Sequence, residues 1–327
     1  MDVRERIKEK ARQKNRSIVF PESEDIRILQ AAQMLSQEKI AHPILLGESN
    51  SLTEVARTYG VDLSGVRILN AKDEEFLDAL SKAHSDLSGL SEGATRRLLR
   101  EPLYFAACMV KLGQADTMVA GLRYTTGEVV LAGQVMIGME PGIETPSSLF
   151  LLRIPGFDGS EGEYLVFADG GVCPDPTSEE LADIAVATSR TVRNLLDWEP
   201  RIAMISFSTK GSAVHQKVDH VVAALSLVKA NHPDILIDGE FQVDAAIVPE
   251  IATKKVSEAS EVAGRANILI FPDLNSGNAA YKLAQRLARA DAYGPFLQGF
   301  GKSISDLSRG STVEDIVGVA TMTVARS

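Results

Sequence analysis

SIVFPESEDIRILQAAQMLSQEKIAHPILLG, residues 17–47, contains a short apolar run, an amphipathic stretch and a second apolar run. Ser17-Ile18-Val19-Phe20 has the length and branched side chains of a buried strand, and Pro21 ends it because proline has no N–H for a ladder. Ile26, Leu29, Ala32 and Leu35 recur at helical spacing, which predicts a helix from about Glu24 to Ser36. Ile44-Leu45-Leu46-Gly47 is the next strand. Strand, helix and strand joined by short connections form a βαβ unit, so a parallel sheet begins here. The fold class that follows is α/β, with mostly parallel sheets flanked by helices.

Upstream, residues 2–15 are charged with scattered apolar positions and read as an amphipathic helix. Downstream, the pattern continues through helix-rich 73–111 and the strand Thr117-Met118-Val119-Ala120. Gly121 opens a loop to Gly127, and a helix is expected at about 128–138. Met139-Glu140-Pro141-Gly142 and Pro146 break the helical pattern, and a domain boundary fits there. Ser148–Arg153 and Tyr164–Ala168 read as strands joined by the glycine-rich hairpin loop 156–162, hence antiparallel. Thr177-x-x-Glu180 is a capping box that starts a helix. Strands at 201–207, 234–238 and 267–271 alternate with helices at about 212–230 and 278–290. Gly294-Pro295 is read as breaking the last helix, with the final segment returning to the first domain. The expected domains are 1–142 plus 296–327, and 143–295; two domains suit a chain of 327 residues.

Apolar residues at 45% and charged residues at 24% give an ordinary globular balance. No run approaches the roughly 18 apolar residues of a membrane span. The charged start Met1-Asp2-Val3-Arg4-Glu5-Arg6 is unlike a signal peptide, so the cytoplasm is the expected location. Two cysteines, Cys108 and Cys173, give no disulfide framework or zinc pattern. A net charge of −10 without a basic footprint disfavours nucleic acid. The five histidines (His42, His84, His215, His220 and His232) lack paired ligand spacing, and no metal site is expected. Gly301-Lys302-Ser303 resembles the end of a phosphate-binding Walker loop, but Phe296 stands where that loop needs glycine. No Gly-x-Gly-x-x-Gly follows a strand.

Ligands of parallel α/β sheets gather at the carboxyl ends of strands, where helix amino termini converge. Four stretches have the chemistry for an anionic ligand there. Asp306-Leu307-Ser308-Arg309-Gly310-Ser311-Thr312-Val313-Glu314-Asp315 sets a hydroxyl, an arginine and a glycine before a helix, with Ser311-x-x-Glu314 as its expected capping box. Unpaired N–H groups and the positive end of the helix dipole then face Ser308-Arg309-Gly310, and the Arg309 fork suits phosphate oxygens. Asp315, in the first turn, is positioned as a general base. The other three stretches are Arg123 with Thr125-Thr126, the Ser208-Thr209-Lys210-Gly211-Ser212 run, and Asn275, Gly277 and Asn278. Serine, threonine, asparagine and glycine are also ordinary turn residues, so each loop alone carries little weight.

Six motifs together resemble the phosphate acetyltransferase (phosphotransacetylase) family over nearly the whole chain. They are Phe20-Pro21-Glu22 with Asp25-x-Arg27; Phe167-Ala168-Asp169-Gly170; residues 208–212; Asp238-Gly239-Glu240-x-Gln242-x-Asp244-Ala245-Ala246; Phe271-Pro272-Asp273-Leu274-Asn275-x-Gly277-Asn278; and residues 308–315. The resemblance implies two α/β domains meeting at a cleft, on the architecture of isocitrate and isopropylmalate dehydrogenases, and a homodimer. It implies reversible acetyl transfer between coenzyme A and phosphate in a ternary complex, with acetyl-CoA, phosphate and acetyl phosphate as substrates and no permanently bound cofactor. By the same resemblance Asp315 deprotonates the coenzyme A thiol, Ser308 donates to the oxyanion and Arg309 holds the acetyl phosphate. Tyr124 stands where the family usually has histidine, and Leu131 and Ser85 where it has arginines. Those departures leave a weakly active acyl-CoA sensor, or a transferase for propionyl or butyryl groups, as alternatives.

Overall fold

Ser17–Phe20 (β1) and His42–Leu46 (β2) pair in parallel, Ile18 opposite Pro43 and Val19 opposite Ile44, with helix Ile26–Gln37 (α2) as the crossover between them. The computed structural model describes residues 2–327. Ile18, Val19 and Phe20 are wholly buried, and so are Ile28, Leu29, Ala32 and Leu35 of α2. Val3–Lys14 (α1) precedes this unit. After it come Ser49–Tyr59 (α3), Arg67–Leu69 (β3), Glu74–Ser88 (α4), Glu92–Leu98 (α5), Pro102–Lys111 (α6), Thr117–Ala120 (β4) and Thr126–Ala132 (α7), which runs into a π-helical turn at Gly133–Ile137. β3 escapes a reading by periodicity because it has only three residues and none is fully buried. α7 starts at Thr126, two residues earlier than expected, because Thr125 and Glu128 form a capping box.

The chain divides into two compact units, one up to Glu140 together with Phe300–Ser327, the other Pro141–Gly299. The second contains Ser147–Arg153 (β5), Tyr164–Ala168 (β6), Ser178–Leu196 (α8), Arg201–Ile205 (β7), Gln216–Asn231 (α9), Leu236–Phe241 (β8), Val243–Ile247 (α10), Pro249–Lys255 (α11), Ile268–Ile270 (β9), Leu274–Leu287 (α12) and Asp291–Gln298 (β10). Its sheet runs in the order β10-β5-β6-β9-β7-β8. β10 and β6 flank β5 antiparallel, and the remaining pairings are parallel. Phe150, Leu152, Phe167, Phe241, Leu269 and Phe271 fill its core.

Three expectations for this unit are corrected. Gly294-Pro295 does not break a helix: it lies inside β10, at a register shift between Tyr293 and Phe296 on the edge of the sheet. A proline is tolerated there because its missing N–H faces no partner strand. α12 begins at Leu274 with Asp273 as N-cap, four residues earlier than expected, so Asn275 and Gly277 lie in its first turn and not in a loop. α9 begins at Gln216 with His215 as N-cap, so residues 206–214 form an extended turn of their own.

The chain then returns to the first unit with Ile304–Asp306 (β11) and Val313–Arg326 (α13). That sheet is parallel throughout, in the order β11-β4-β1-β2-β3. β11 and β4 are neighbours, with Asp306 opposite Ala120. The segments following them, 121–126 and 307–315, therefore leave the sheet side by side at its carboxyl end.

Candidate active site

In the first unit, the turn after β11 is built from its own backbone and from one distant arginine. The Ser311 N–H donates to Ser308 O at 2.9 Å. Arg27 Nη1 donates to the carbonyls of Arg309 at 3.0 Å and Ser311 at 2.8 Å, while Asp25 grips the rest of the same guanidinium. Ser308, Arg309 and Gly310 remain exposed. The capping box sits one residue further on than expected. Thr312, not Ser311, is the N-cap of α13: its Oγ accepts the Asp315 N–H at 3.2 Å, and Asp315 Oδ2 accepts the Thr312 N–H at 2.9 Å. Ser311 is unsuited to that place because it is buried in the turn, with its carbonyl bound to Arg27. Asp315 thus belongs to the cap itself. One oxygen orients the carboxylate at the helix mouth, and the side chain is exposed.

The neighbouring segment is held by a residue the sequence reading did not single out. Glu22, 4% exposed, accepts the N–H groups of four successive residues: Gly121 at 2.7 Å, Leu122 at 3.1 Å, Arg123, and Tyr124 at 3.1 Å. Converging N–H groups make a site for negative charge, and here a built-in carboxylate fills it. Thr125 spends its hydroxyl on the capping box of α7, and Arg123 pairs with Glu24 at 3.0 Å. Thr125 therefore has no hydroxyl to spare, whereas the Arg123–Glu24 pair is exposed and leaves part of the guanidinium open to solvent. Thr126 Oγ donates to Asp306 Oδ2 at 2.5 Å. Asp306 is 2% exposed, and burial pushes its carboxyl up to about 6; the Thr126 hydroxyl counters this and the Glu22 charge adds to it. Arg309 lies close enough to Glu128 of α7 to help hold that carboxyl below its ordinary value, after the larger effect of the Thr125 N–H.

In the second unit, carboxylates again organise the loops. Ser208 Oγ donates to Glu240 Oε1 at 2.7 Å, and the Gly211 N–H joins the same oxygen at 2.8 Å. Thr209 Oγ accepts the Gln242 N–H at 2.9 Å, and Ser212 Oγ accepts the Thr209 N–H at 3.0 Å. Ser208 and Thr209 are buried, so their hydroxyls build the turn and do not face outward. Gly211 and Ser212 are exposed, and Lys210 is ion-paired with Asp238 at 2.7 Å. At the start of α12, Asn278 Nδ2 donates to Gly170 O at 3.0 Å. A Cβ on Gly277 would lie 2.0 Å from Asp169 O, so only glycine allows that approach. Asn275 is exposed. Asp169 in turn accepts N–H groups from Ser148, Gly171, Val172 and Cys173. Burial raises its carboxyl, against the pull of those donors. Among the described residues no group of three or more His, Cys, Asp or Glu side chains is arranged to hold a metal ion.

The family model described as phosphate acetyl/butaryl transferase matches residues 2–324. This chain belongs to that family. A phosphate acetyltransferase of Clostridium acetobutylicum is 42% identical over 330 residues, covering 100% of this chain and 99% of that protein. A phosphotransacetylase from Streptococcus pyogenes superposes with a TM-score of 0.92 at 40% identity, over 99% of this chain and 97% of that one. The EutD phosphotransacetylase from Staphylococcus aureus does so with 0.91 at 34% identity, over 99% and 98%. The phosphate acetyl/butaryl transferase motifs now have physical roles. Pro21-Glu22, Asp169-Gly170 and Gly239-Glu240 each supply a buried carboxylate that pins a neighbouring loop, and Asp25-x-Arg27 tethers the Ser308–Ser311 turn.

Where arginines are expected from the resemblance, Leu131 is 50% exposed on α7 and Ser85 Oγ donates to Leu90 O at 2.8 Å. Tyr124 is half-buried, and burial raises its phenol above the ordinary value. Nearby in the sequence, Arg96 is paired with Asp78 and Glu74, whereas Arg97 and Arg100 are exposed. No helix of the described residues is long and apolar enough to cross a membrane.

Proposed function

We propose that this protein is a phosphate acetyltransferase, moving an acetyl group reversibly between coenzyme A and phosphate, and that Ser308, Arg309 and Asp315 carry the chemistry. The observation that supports it is the mouth of α13: an exposed hydroxyl and guanidinium in a tethered turn, followed by a cap-oriented carboxylate. In the direction of acetyl-CoA synthesis, Asp315 takes the proton from the coenzyme A thiol. The thiolate is the competent nucleophile, and it attacks the acetyl carbon of acetyl phosphate directly. Ser308 donates to the oxyanion that develops on that carbon, and Arg309 holds the departing phosphate with charge-assisted hydrogen bonds. Phosphate leaves as the carbonyl re-forms, and no acyl-enzyme is needed.

Gly310, Gly211, Ser212 and Asn275 are assigned to substrate contacts, since they are exposed, whereas Gly277 and Asn278 are assigned to holding the start of α12 against residues 169–170. Thr126, Ser208, Thr209 and Ser311 are assigned to loop structure. Coenzyme A is a substrate here, not a resident cofactor. A cytoplasmic homodimer is the assembly expected of this reading; exposed Leu283 and Leu287, one turn apart on α12, are consistent with a covered apolar stripe. Light scattering of the purified protein checks the assembly.

The test of the chemistry is thiol release from acetyl-CoA in the presence of phosphate. Asp315→Asn should lower kcat by about 10²–10⁴-fold, the range for removing a general base. Its thermal stability should change little, because asparagine still accepts the Thr312 N–H. Turnover left intact by Asp315→Asn removes the base assignment, and absence of turnover in the unaltered protein with acetyl-, propionyl- and butyryl-CoA removes the transferase assignment.

A further inference from the structure

Among the described residues, Asp306 is a buried carboxylate that caps no helix and pins no loop, yet it stands at the root of the proposed catalytic turn. It ends β11, two residues before Ser308. Its Oδ2 takes the hydroxyl of Thr126, the first residue of α7. Its Oδ1 is buried without a hydrogen-bond partner, and the nearby Leu307 N–H only partly offsets the effect of burial on the carboxyl. Gly121, at the end of β4, is pressed against the same point: a Cβ there would lie 2.2 Å from Asp306 Oδ1 and 2.6 Å from the Leu307 N and O. The charged group that bears on Asp306 is Glu22, which already pins residues 121–124. The segment 121–126 and residues 306–307 therefore meet on one carboxyl group, within reach of the Glu22 charge. A buried, half-satisfied carboxylate costs stability, and an apolar or amide side chain would pack there without that cost.

Resting on the acyl-transfer reading above, we propose that Asp306 is a positioning residue: its ionised carboxyl, by accepting the Thr126 hydroxyl, fixes the first turn of α7 to the Leu307-Ser308-Arg309 turn and so sets where Ser308 and Arg309 point. It touches no substrate and transfers no proton to one. Protonation weakens the acceptor and releases the turn, so the acid side of the rate profile carries its titration. The value of about 6 produced by burial agrees with a loss of rate below neutrality.

The experiment compares the full-length protein with Asp306→Asn and Thr126→Val across pH 5–9, under saturating acetyl-CoA and phosphate. Asp306→Asn should lower kcat about tenfold at pH 8, as expected for a small misplacement of reacting groups, and leave each KM within about twofold. The acid limb near pH 6 should vanish in that variant. Thr126→Val removes the donor that favours ionisation, so it should shift the limb to higher pH; Thr126→Ser should restore it. Ionisation of substrate phosphate is common to all four proteins and cancels in the comparison. An unchanged acid limb in Asp306→Asn overturns the proposal. So does a variant that melts lower while kcat and both KM values worsen together, which is a purely structural effect. If the unaltered protein shows no turnover, it is the transferase reading that fails. Amide hydrogen exchange at residues 307–312 then decides the coupling: faster exchange in Asp306→Asn supports it and equal exchange refutes it.

Discussion

Burial pushes the Asp306 carboxyl up to about 6, against about 4 for an aspartate in the unfolded chain. The sign of its effect on stability follows from that difference. Because the folded value is the higher one, its contribution is present in full below about pH 4 and is lost as pH rises through 6. About two pH units at 1.36 kcal/mol each put the ionised carboxylate at a disadvantage of roughly 3 kcal/mol at pH 8. Asp306→Asn should therefore raise Tm by several degrees at pH 8 and by about half as much at pH 5, as measured by scanning calorimetry. A lower Tm at pH 8 would contradict the burial argument. A more stable but slower variant is the pattern expected where a fold keeps a strained group for function. Asp315, by contrast, was legible in the sequence as an acid in a first helical turn. Its neighbours were not, because Ser311-x-x-Glu314 and Thr312-x-x-Asp315 overlap and both satisfy the capping pattern. What separates them is Arg27, whose hold on the Ser311 carbonyl spans 284 positions and leaves no local trace.

At the scale of elements, the strands and helices that carry apolar periodicity were readable, and the way the polar loops between them are held was not. β1, α2 and β2 follow directly from the spacing of Ile26, Leu29, Ala32 and Leu35 between two apolar runs. Gly294-Pro295 misled because the same dipeptide suits a broken helix and a bulged edge strand, and only the neighbouring strand β5 decides. Polar runs such as 208–212 and 273–278 look like ligand loops. Much of their polarity is instead turned inward, onto Glu240 in the first case and onto the segment 168–171 in the second. Glu22 shows what such a clamp is worth. Glu22→Gln leaves one acceptor oxygen for four N–H groups and turns an amide NH₂ toward the others. Each buried N–H left unpaired costs about 1–3 kcal/mol, so the 121–124 segment should loosen and Tm should fall. Amide exchange should accelerate at 121–124 in Glu22→Gln and at 208–211 in Glu240→Gln, each without the other. Unchanged protection at 121–124 in Glu22→Gln would mean that the segment is held by something else.

For the molecule as a whole, the determining fact is that the first unit is not finished until the chain returns to it. β11 is only Ile304-Ser305-Asp306, too short to show periodicity, and its partner β4 lies far back in the sequence. α13 then buries Ile316, Val319, Ala320, Met322 and Val324. Arg326 is tied to Ser303 Oγ at 3.0 Å and Ile304 O at 3.2 Å, and Lys14 of α1 donates to the Ser327 carbonyl at 2.6 Å. Burying five such side chains is worth roughly 1.5–3 kcal/mol for each large one, comparable with the whole stability of a domain. Deleting residues 300–327 should therefore unfold the first unit, leaving β4 as a bare edge and its apolar cover gone. The second unit keeps all six of its strands within 141–299, including β10, and should survive. Limited proteolysis followed by mass spectrometry should find cleavage throughout 2–140 and a protected fragment near 141–299. Protection of 2–140 in the truncated chain would show that β11 and α13 are only appended to a unit already stable. In that case the residues proposed for the chemistry would sit on a dispensable segment, not on the one that completes the fold.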